Sequence, residues 1–355
     1  MEWYKLRLSG IKDMIIKILM DNFETYEDIF KLHRNQLQKY FNLTDEVIDT
    51  IYNSKKIDIQ KNLNELQKLN IHVVSLKDES YPKILKHIQQ PPVFLYYKGD
   101  LSLTENERKI AIVGTRTATT YGKNCCEKIV DELLLSNVTI VSGLALGIDG
   151  ISHNRTLQKK GKTIAVVGSG LDIIYPYTNK HIWERIEKEG LILSEFPLGT
   201  PPNSFNFPRR NRIIVGLSKG VCVIESKEKG GSLITAHLAL DEGRDVFAVP
   251  GDIFSPNSIG TNELIKNSGA KLITSGKDIL EEYSWEKQKS LDEVLLNVPM
   301  TEYEKIIYKI LSVEKSLDEI ILESNIKAAN LLAILMEMEI KGLVSSVAGG
   351  KYRRK

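Results

Sequence analysis

Lys109-Ile-Ala-Ile-Val-Gly114 is a short apolar run that ends on glycine, and five further runs are built much like it. They are Val138-Thr-Ile-Val-Ser-Gly143, Thr163-Ile-Ala-Val-Val-Gly168, Leu191-Ile-Leu-Ser194, Gly220-Val-Cys-Val-Ile-Glu225 and Asp245-Val-Phe-Ala-Val-Pro-Gly251. Each is too short for a helix, rich in Val or Ile, and lacks apolar/polar alternation. That is the pattern of strands buried on both faces of a parallel sheet. Segments of helical character, such as Gly122 to Ser136 and Thr178 to Gly190, lie between the runs. Strand–helix–strand repetition implies right-handed crossovers and a doubly wound, Rossmann-like α/β sheet.

In such a sheet the ligand crevice lies beyond the carboxyl ends of the strands. Those ends read Gly114-Thr115-Arg116, Ser142-Gly143, Gly168-Ser169-Gly170 and Gly230-Gly231-Ser232. Loops poor in side chains let backbone N–H groups approach a ligand, and a following helix N-terminus adds partial positive charge. The expected ligand is an anion, most simply phosphate. One such glycine loop alone would read equally well as a tight strand-to-helix turn; several on one edge favour the anion.

The charged residues fit this reading. Arg116 stands at a strand end, where a guanidinium binds phosphate bidentately. Lys180 and Trp183 lie one helical turn apart and share a face; a cation beside an aromatic suits a single-strand site, and core packing of Trp183 against Ile182 and Ile186 is the alternative. Phe205-Asn-Phe207-Pro-Arg209-Arg210-Asn211-Arg212 reads as a loop feeding a helix near Arg212, with Phe interleaved among three arginines that can meet phosphates. His153 is read as tying its helix to a neighbouring loop, and Asp149 as capping that helix.

Composition narrows the classes. The 355 residues leave room for two or three domains. Net charge is +2, so a nucleic-acid site must be a local patch. The start, Met-Glu-Trp-Tyr-Lys, is not that of a signal peptide, and no apolar stretch suits a bilayer. Cys125, Cys126 and Cys222 show no metal spacing, nor do the six His, so structural thiols in a reducing cytoplasm and no metal are expected. The first strand–helix loop does not match Gly-x-Gly-x-x-Gly and no phosphate-cradling Gly-Lys-Ser/Thr loop is present, which disfavours a dinucleotide dehydrogenase and an NTPase. No cofactor is implied.

The flanking segments divide the chain. Residues 1–62 read as a small helical bundle, 63–282 as the sheet domain, 283–298 as a polar linker and 299–355 as three helices and a β-ribbon. Two further strands, Ile71 to Leu76 and Pro92 to Asp100, extend the sheet. The bundle is similar to a SAM or helix–hairpin–helix module. Its hairpin, Ser9-Gly10-Ile11-Lys12-Asp13, lacks the second glycine of the DNA-contacting form, so packing or protein contact is expected there. The C-terminal segment has a winged-helix pattern. Its third helix is apolar and acidic, which suits packing rather than base reading, while Lys351, Arg353, Arg354 and Lys355 at the wing can touch phosphate. Ile265 and Leu272 are apolar residues near the sheet domain's end, placed for an interface.

Taken together, Val113-Gly-Thr-Arg116, Ser142-Gly-Leu-Ala-Leu-Gly-Ile-Asp149 with His153, Tyr175-Pro-x-x-Asn-Lys180, Phe207-Pro-x-Arg-Asn-Arg-Ile-Ile214, Gly231-Ser-Leu-Ile-Thr235 and Gly243-Arg-Asp-Val-Phe-Ala-Val-Pro-Gly251 resemble the DNA-processing protein family DprA (Smf). The resemblance implies a non-enzymatic mediator that binds single-stranded DNA, loads the recombinase RecA and acts in natural transformation, through an extended Rossmann domain that dimerises. It implies DNA contacts by Arg116, Lys180 and the Phe207–Arg212 stretch, a base-contacting aromatic at Trp183, and a dimer face at Ile265 and Leu272. Ser204 departs from relatives that carry Lys near there. The alternative is a nucleotide phosphoribohydrolase of the lonely-guy or lysine-decarboxylase-like type; its catalytic Glu after the Gly-Gly turn has no counterpart, since Ala236 and His237 follow here.

Overall fold

The structure, a computed structural model, describes residues 1–285, 300–347 and 349–354. It divides into two compact units, Met1–Lys287 and Gln288–Lys355. The six apolar runs all form strands, and two more strands precede them. In chain order these are β1 (His72–Ser75), β2 (Phe94–Gly99), β3 (Lys109–Val113), β4 (Thr139–Ser142), β5 (Thr163–Val166), β6 (Leu191–Ser194), β7 (Gly220–Val223) and β8 (Asp245–Ala248), with a two-residue β9 (Lys271–Leu272) after them. Strands β3 to β7 are buried at every residue, as an unalternating Val/Ile run requires when helices cover both faces.

The nine strands lie in the order β1-β2-β6-β5-β4-β3-β7-β8-β9. From β3 to β9 all pairings are parallel, whereas β2 joins β6, and β1 joins β2, antiparallel. The chain moves outward from β3 through β4 and β5 to β6, then returns to place β7 on the other side of β3. Strand order therefore reverses between β3 and β7, which opens a crevice at their carboxyl ends. Helices Asn206–Leu217 and Gly231–Asp241 cover one face, burying Ile213, Leu217, Ala236 and Ala239 with the strand residues. Helix Thr120–Leu134 covers the other with Cys126, Ile129, Val130 and Leu133.

The N-terminal helices belong to the same compact unit as the sheet. Tyr4 packs edge-on against Phe94, with ring centroids 5.2 Å apart, and its hydroxyl meets that of Tyr96 at 3.0 Å. The boundary expected at residue 62 falls inside helix Ile59–Lys68. Thr25 opens the short 3₁₀ helix Tyr26–Lys31 with a reciprocal capping box to Asp28. Residues 286–298 of the expected linker lie outside the described residues.

The second unit has helices Glu302–Ile310, Leu317–Ser324 and Ala328–Ile340 and a ribbon of Val344–Val347 with Lys351–Arg354. Helix Ala328–Ile340 carries no Lys or Arg and exposes Leu332, Met336 and Ile340. On the wing, Arg353 is 3.7 Å from Glu314 and Arg354 lies over the Tyr308 ring; Lys355 lies outside the described residues. Among the described residues no helix is long and apolar enough to cross a membrane.

Candidate nucleic-acid interface

A cavity of about 370 Å³ occupies the switch point between β3 and β7. The β3 end contributes Gly114, Thr115 and Arg116; the turn after β7 contributes Lys227, Lys229, Gly230, Gly231 and Ser232. Helix Gly231–Asp241 starts at the cavity wall, so its first-turn N–H groups add partial positive charge there. Four cationic side chains line the space, Arg116, Arg210, Lys227 and Lys229, against one buried carboxylate, Asp149.

Two glutamate interactions shape the first loop. The Glu225 carboxylate accepts hydrogen bonds from the Thr119 N–H (3.0 Å) and hydroxyl, and its carbonyl accepts from the Thr115 N–H at 2.8 Å. A Cβ on Gly122, in the first turn of helix Thr120–Leu134, would sit 2.2 Å from that carboxylate and displace it from Thr119. Arg116 is left exposed, its guanidinium carbon 5.4 Å from the Phe207 ring centroid. Phe207 stacks in turn on Tyr175, centroids 5.8 Å apart at 30°. A cation above two stacked rings offers both charge and a flat apolar surface.

Helix Asn206–Leu217 is sewn to the strand ends from inside. Asn206 donates to the Gly168 carbonyl at 3.0 Å. Arg210, 5% exposed, donates to the carbonyls of Gly143, at 2.7 Å, and Val166. Burial lowers its pKa to about 10, with the charge of Asp149 acting the other way. Burial likewise raises the Asp149 pKa, and its carboxylate accepts the Gly143 N–H at 3.1 Å.

The family model of DNA recombination-mediator protein A matches residues 72–284, which is most of the chain. The chain belongs to this family. The DprA winged helix domain matches residues 303–350. Over 386 aligned residues this mediator-family chain is 35% identical to Protein Smf of Synechocystis, covering 98% of it and 97% of the relative. It is 42% identical to DNA processing protein DprA of Streptococcus pneumoniae over 295 residues, covering 80% of this chain and 98% of that one. The solved structure of the S. pneumoniae protein superposes with a TM-score of 0.69 at 40% identity, over 79% of this chain and 98% of that one. A structure concerned with the single-stranded DNA binding mode of Helicobacter pylori DNA processing protein A gives 0.54 at 32% identity, over 60% and 95%.

Within this recombination-mediator fold, the expected residues separate into three groups. Gly114, Thr115, Arg116, Phe207, Asn211, Gly230, Gly231 and Ser232 come together at the crevice. Gly143, Gly168 and Ser169 line a side pocket of about 30 Å³ beneath Arg116 and Tyr175. The Ser142 and Ser169 hydroxyls are committed inside the fold, to the carbonyls of Ile112 (2.6 Å) and Ile173 (3.2 Å). Gly170 gives its N–H to Thr200 and lines neither space, so its place at the site is corrected.

Four side chains need correction. Trp183 is 1% exposed in the core with Ile182 and Ile186, because helix Lys180–Glu189 turns that face onto the sheet; it cannot stack on a base. Lys180 lies outside both cavities, 3.6 Å from Glu184 and over the Tyr177 ring. Phe205–Arg212 is not a loop: the helix begins at Asn206, with Pro208 in its first turn where the missing N–H is harmless. Helical phase then puts Arg210 and Asn211 toward the crevice and sends Arg209 and Arg212 to the opposite flank, where both reach the Glu195 carboxylate at 2.9 and 2.5 Å. Lys227 and Lys229 were missed in the sequence reading, although both lead into the Gly-Gly turn and that closeness is the signal that finds them.

Proposed function

We propose that this chain is a non-enzymatic recombination mediator that holds single-stranded DNA in the β3/β7 crevice and loads a RecA-type recombinase onto it, as a cytoplasmic homodimer acting on incoming DNA in natural transformation. The observation that carries this reading is the lining of the crevice: Arg116, Lys227 and Lys229 around a helix N-terminus, beside the Tyr175–Phe207 stack. Backbone phosphates take the cations and the N–H groups, and a base takes the rings. No row of base-edge donors and acceptors is presented, so sequence preference is slight. Family membership and the single-stranded DNA mode of the H. pylori relative support the same reading. The phosphoribohydrolase alternative finds no support, since Ala236 is buried after the Gly-Gly turn and His237 lines neither cavity.

The test is fluorescence anisotropy with single- and double-stranded oligonucleotides over a salt series. Three or four neutralised phosphates give a log–log salt slope of about −2 to −3 for a single strand. Arg116→Ala should weaken single-strand binding about tenfold or more and flatten the slope by about 0.7. Strand-indifferent binding untouched by the substitution would sink the proposal.

A further inference from the structure

A second cavity, of about 760 Å³, lies between the N-terminal helices and the sheet domain, on the flank to which Arg209 and Arg212 point. Its wall is formed by the Gly10–Asp13 turn, the start of helix Asp13–Asn22 and the Gln89–Pro91 segment. Five cations line it: Arg7, Lys12, Lys17, Arg209 and Arg212. The carboxylates that answer them are fewer. Asp13 takes Arg7 at 2.8 Å and Arg209 at 3.2 Å, Glu195 takes Arg209 and Arg212, and Asp21 takes Lys17 at 2.7 Å.

The shortfall shows in the donors. Arg7 Nε, Arg212 Nε and Arg212 Nη1 are buried with no acceptor among the described residues. Glu195 Oε1 is also without a partner, but a two-pronged Arg212–Glu195 pair would use only one of these N–H groups. Those donors are closed off from solvent, so a polyoxyanion entering the cleft meets the exposed Lys12 and Arg209 first. Lys12 is exposed at the mouth, Gly10 sits at φ +88° with open space around it, and the helix starting at Asp13 points its N-terminus at the same volume.

The crevice and this cleft are the two flanks of one helix. Asn206–Leu217 presents Phe207 and Arg210 to the crevice and Arg209 and Arg212 to the cleft. A helix with its side chains is about 10 Å across, so the two spaces are about one helix width apart. At the helix's N-terminal end stands Phe205, 70% exposed. We propose that the cleft is a second phosphate-binding site for the strand held in the crevice, which crosses the helix start over Phe205 and places a phosphodiester among Lys12, Arg209 and Arg212. The proposal rests on the single-strand reading of the crevice and gives the N-terminal module a DNA contact, made through the cleft it forms with the sheet domain.

The experiment is a length series of labelled single-stranded oligonucleotides, from about six to about sixteen nucleotides, on the full chain. Arg212→Gln would break a buried pair, so the informative variants are Lys12→Glu and Phe205→Ala, both at exposed positions. Wild type should gain affinity once the oligonucleotide is long enough to reach the cleft. Each variant should match wild type on the shortest oligonucleotide and lose about fivefold on the longest. Equal binding of wild type and variants at every length overturns the cleft site, and so does an equal loss at every length. Failure of the crevice reading looks different: Arg116→Ala then leaves even the shortest oligonucleotide unaffected.

Discussion

Burial holds the His153 imidazole neutral and pushes its pKa down to about 3, with the charge of Arg210 acting in the same direction. Its Nδ1 meets the Thr163 hydroxyl at 2.7 Å, and that hydroxyl donates its own proton to the Ile140 carbonyl, so Nδ1 carries the hydrogen. Nε2 is buried with no hydrogen-bond partner among the described residues. In the unfolded chain the same ring takes a proton near pH 6.5. The unfolded state thus binds more protons as pH falls below about 6.5, and stability drops until the folded ring protonates near 3. Asp149, raised by burial, acts in the opposite sense, because the fold favours its neutral form. From pH 6.5 to 5 the His153 contribution is a loss of about 2 kcal/mol. His153→Gln keeps a donor for Thr163 and removes the titration. Urea unfolding at the two pH values should show wild type losing about that much more than the variant; parallel losses would mean the ring is not held neutral. A tie from this helix was legible in the sequence, but its partner is the start of β5 rather than a loop. Whether Trp183 meets solvent was not legible, since helical phase relative to the sheet decides it.

At the scale of elements, the strands were readable because double burial leaves an unbroken Val/Ile run, whereas the arginine helix was not. Phe205 to Arg212 read as a loop, and a loop would have turned all three arginines to one ligand. Because proline fits a first turn, the stretch is helical and its charges divide between two flanks. The first strand–helix loop depends on a different element, the end of β7. Glu225 holds Thr115 and Thr119 together, and through them the position of Arg116. Glu225→Ala should cost about 2 kcal/mol of local stability, raise amide exchange across residues 114–122 by about tenfold or more, and weaken single-strand binding with Arg116 still in place. Unchanged exchange with unchanged affinity would show that the loop holds itself.

For the whole molecule, the sheet ends on one side at β9, which pairs with β8 and with no other described strand. An open strand edge invites another chain. Leu272 on that edge is 47% exposed, Leu240 is 44% exposed, and Ile265 is half-buried. A second copy applied to this edge by twofold symmetry would cover the leucines and close the contact on itself. The crevice lies about two strand spacings from the edge, roughly 10 Å. Two crevices brought that close can hold one long strand, and the second binding event then proceeds at a high effective concentration. Leu272→Arg puts two charges against each other across such an axis. Sedimentation equilibrium should find a dimer for wild type and a monomer for the variant. Short oligonucleotides, which fill one crevice, should bind both alike. Long ones should bind the variant about tenfold or more weakly. A variant that still sediments as a dimer would place the interface elsewhere. A monomeric variant that keeps full affinity for long strands would show that each crevice works alone.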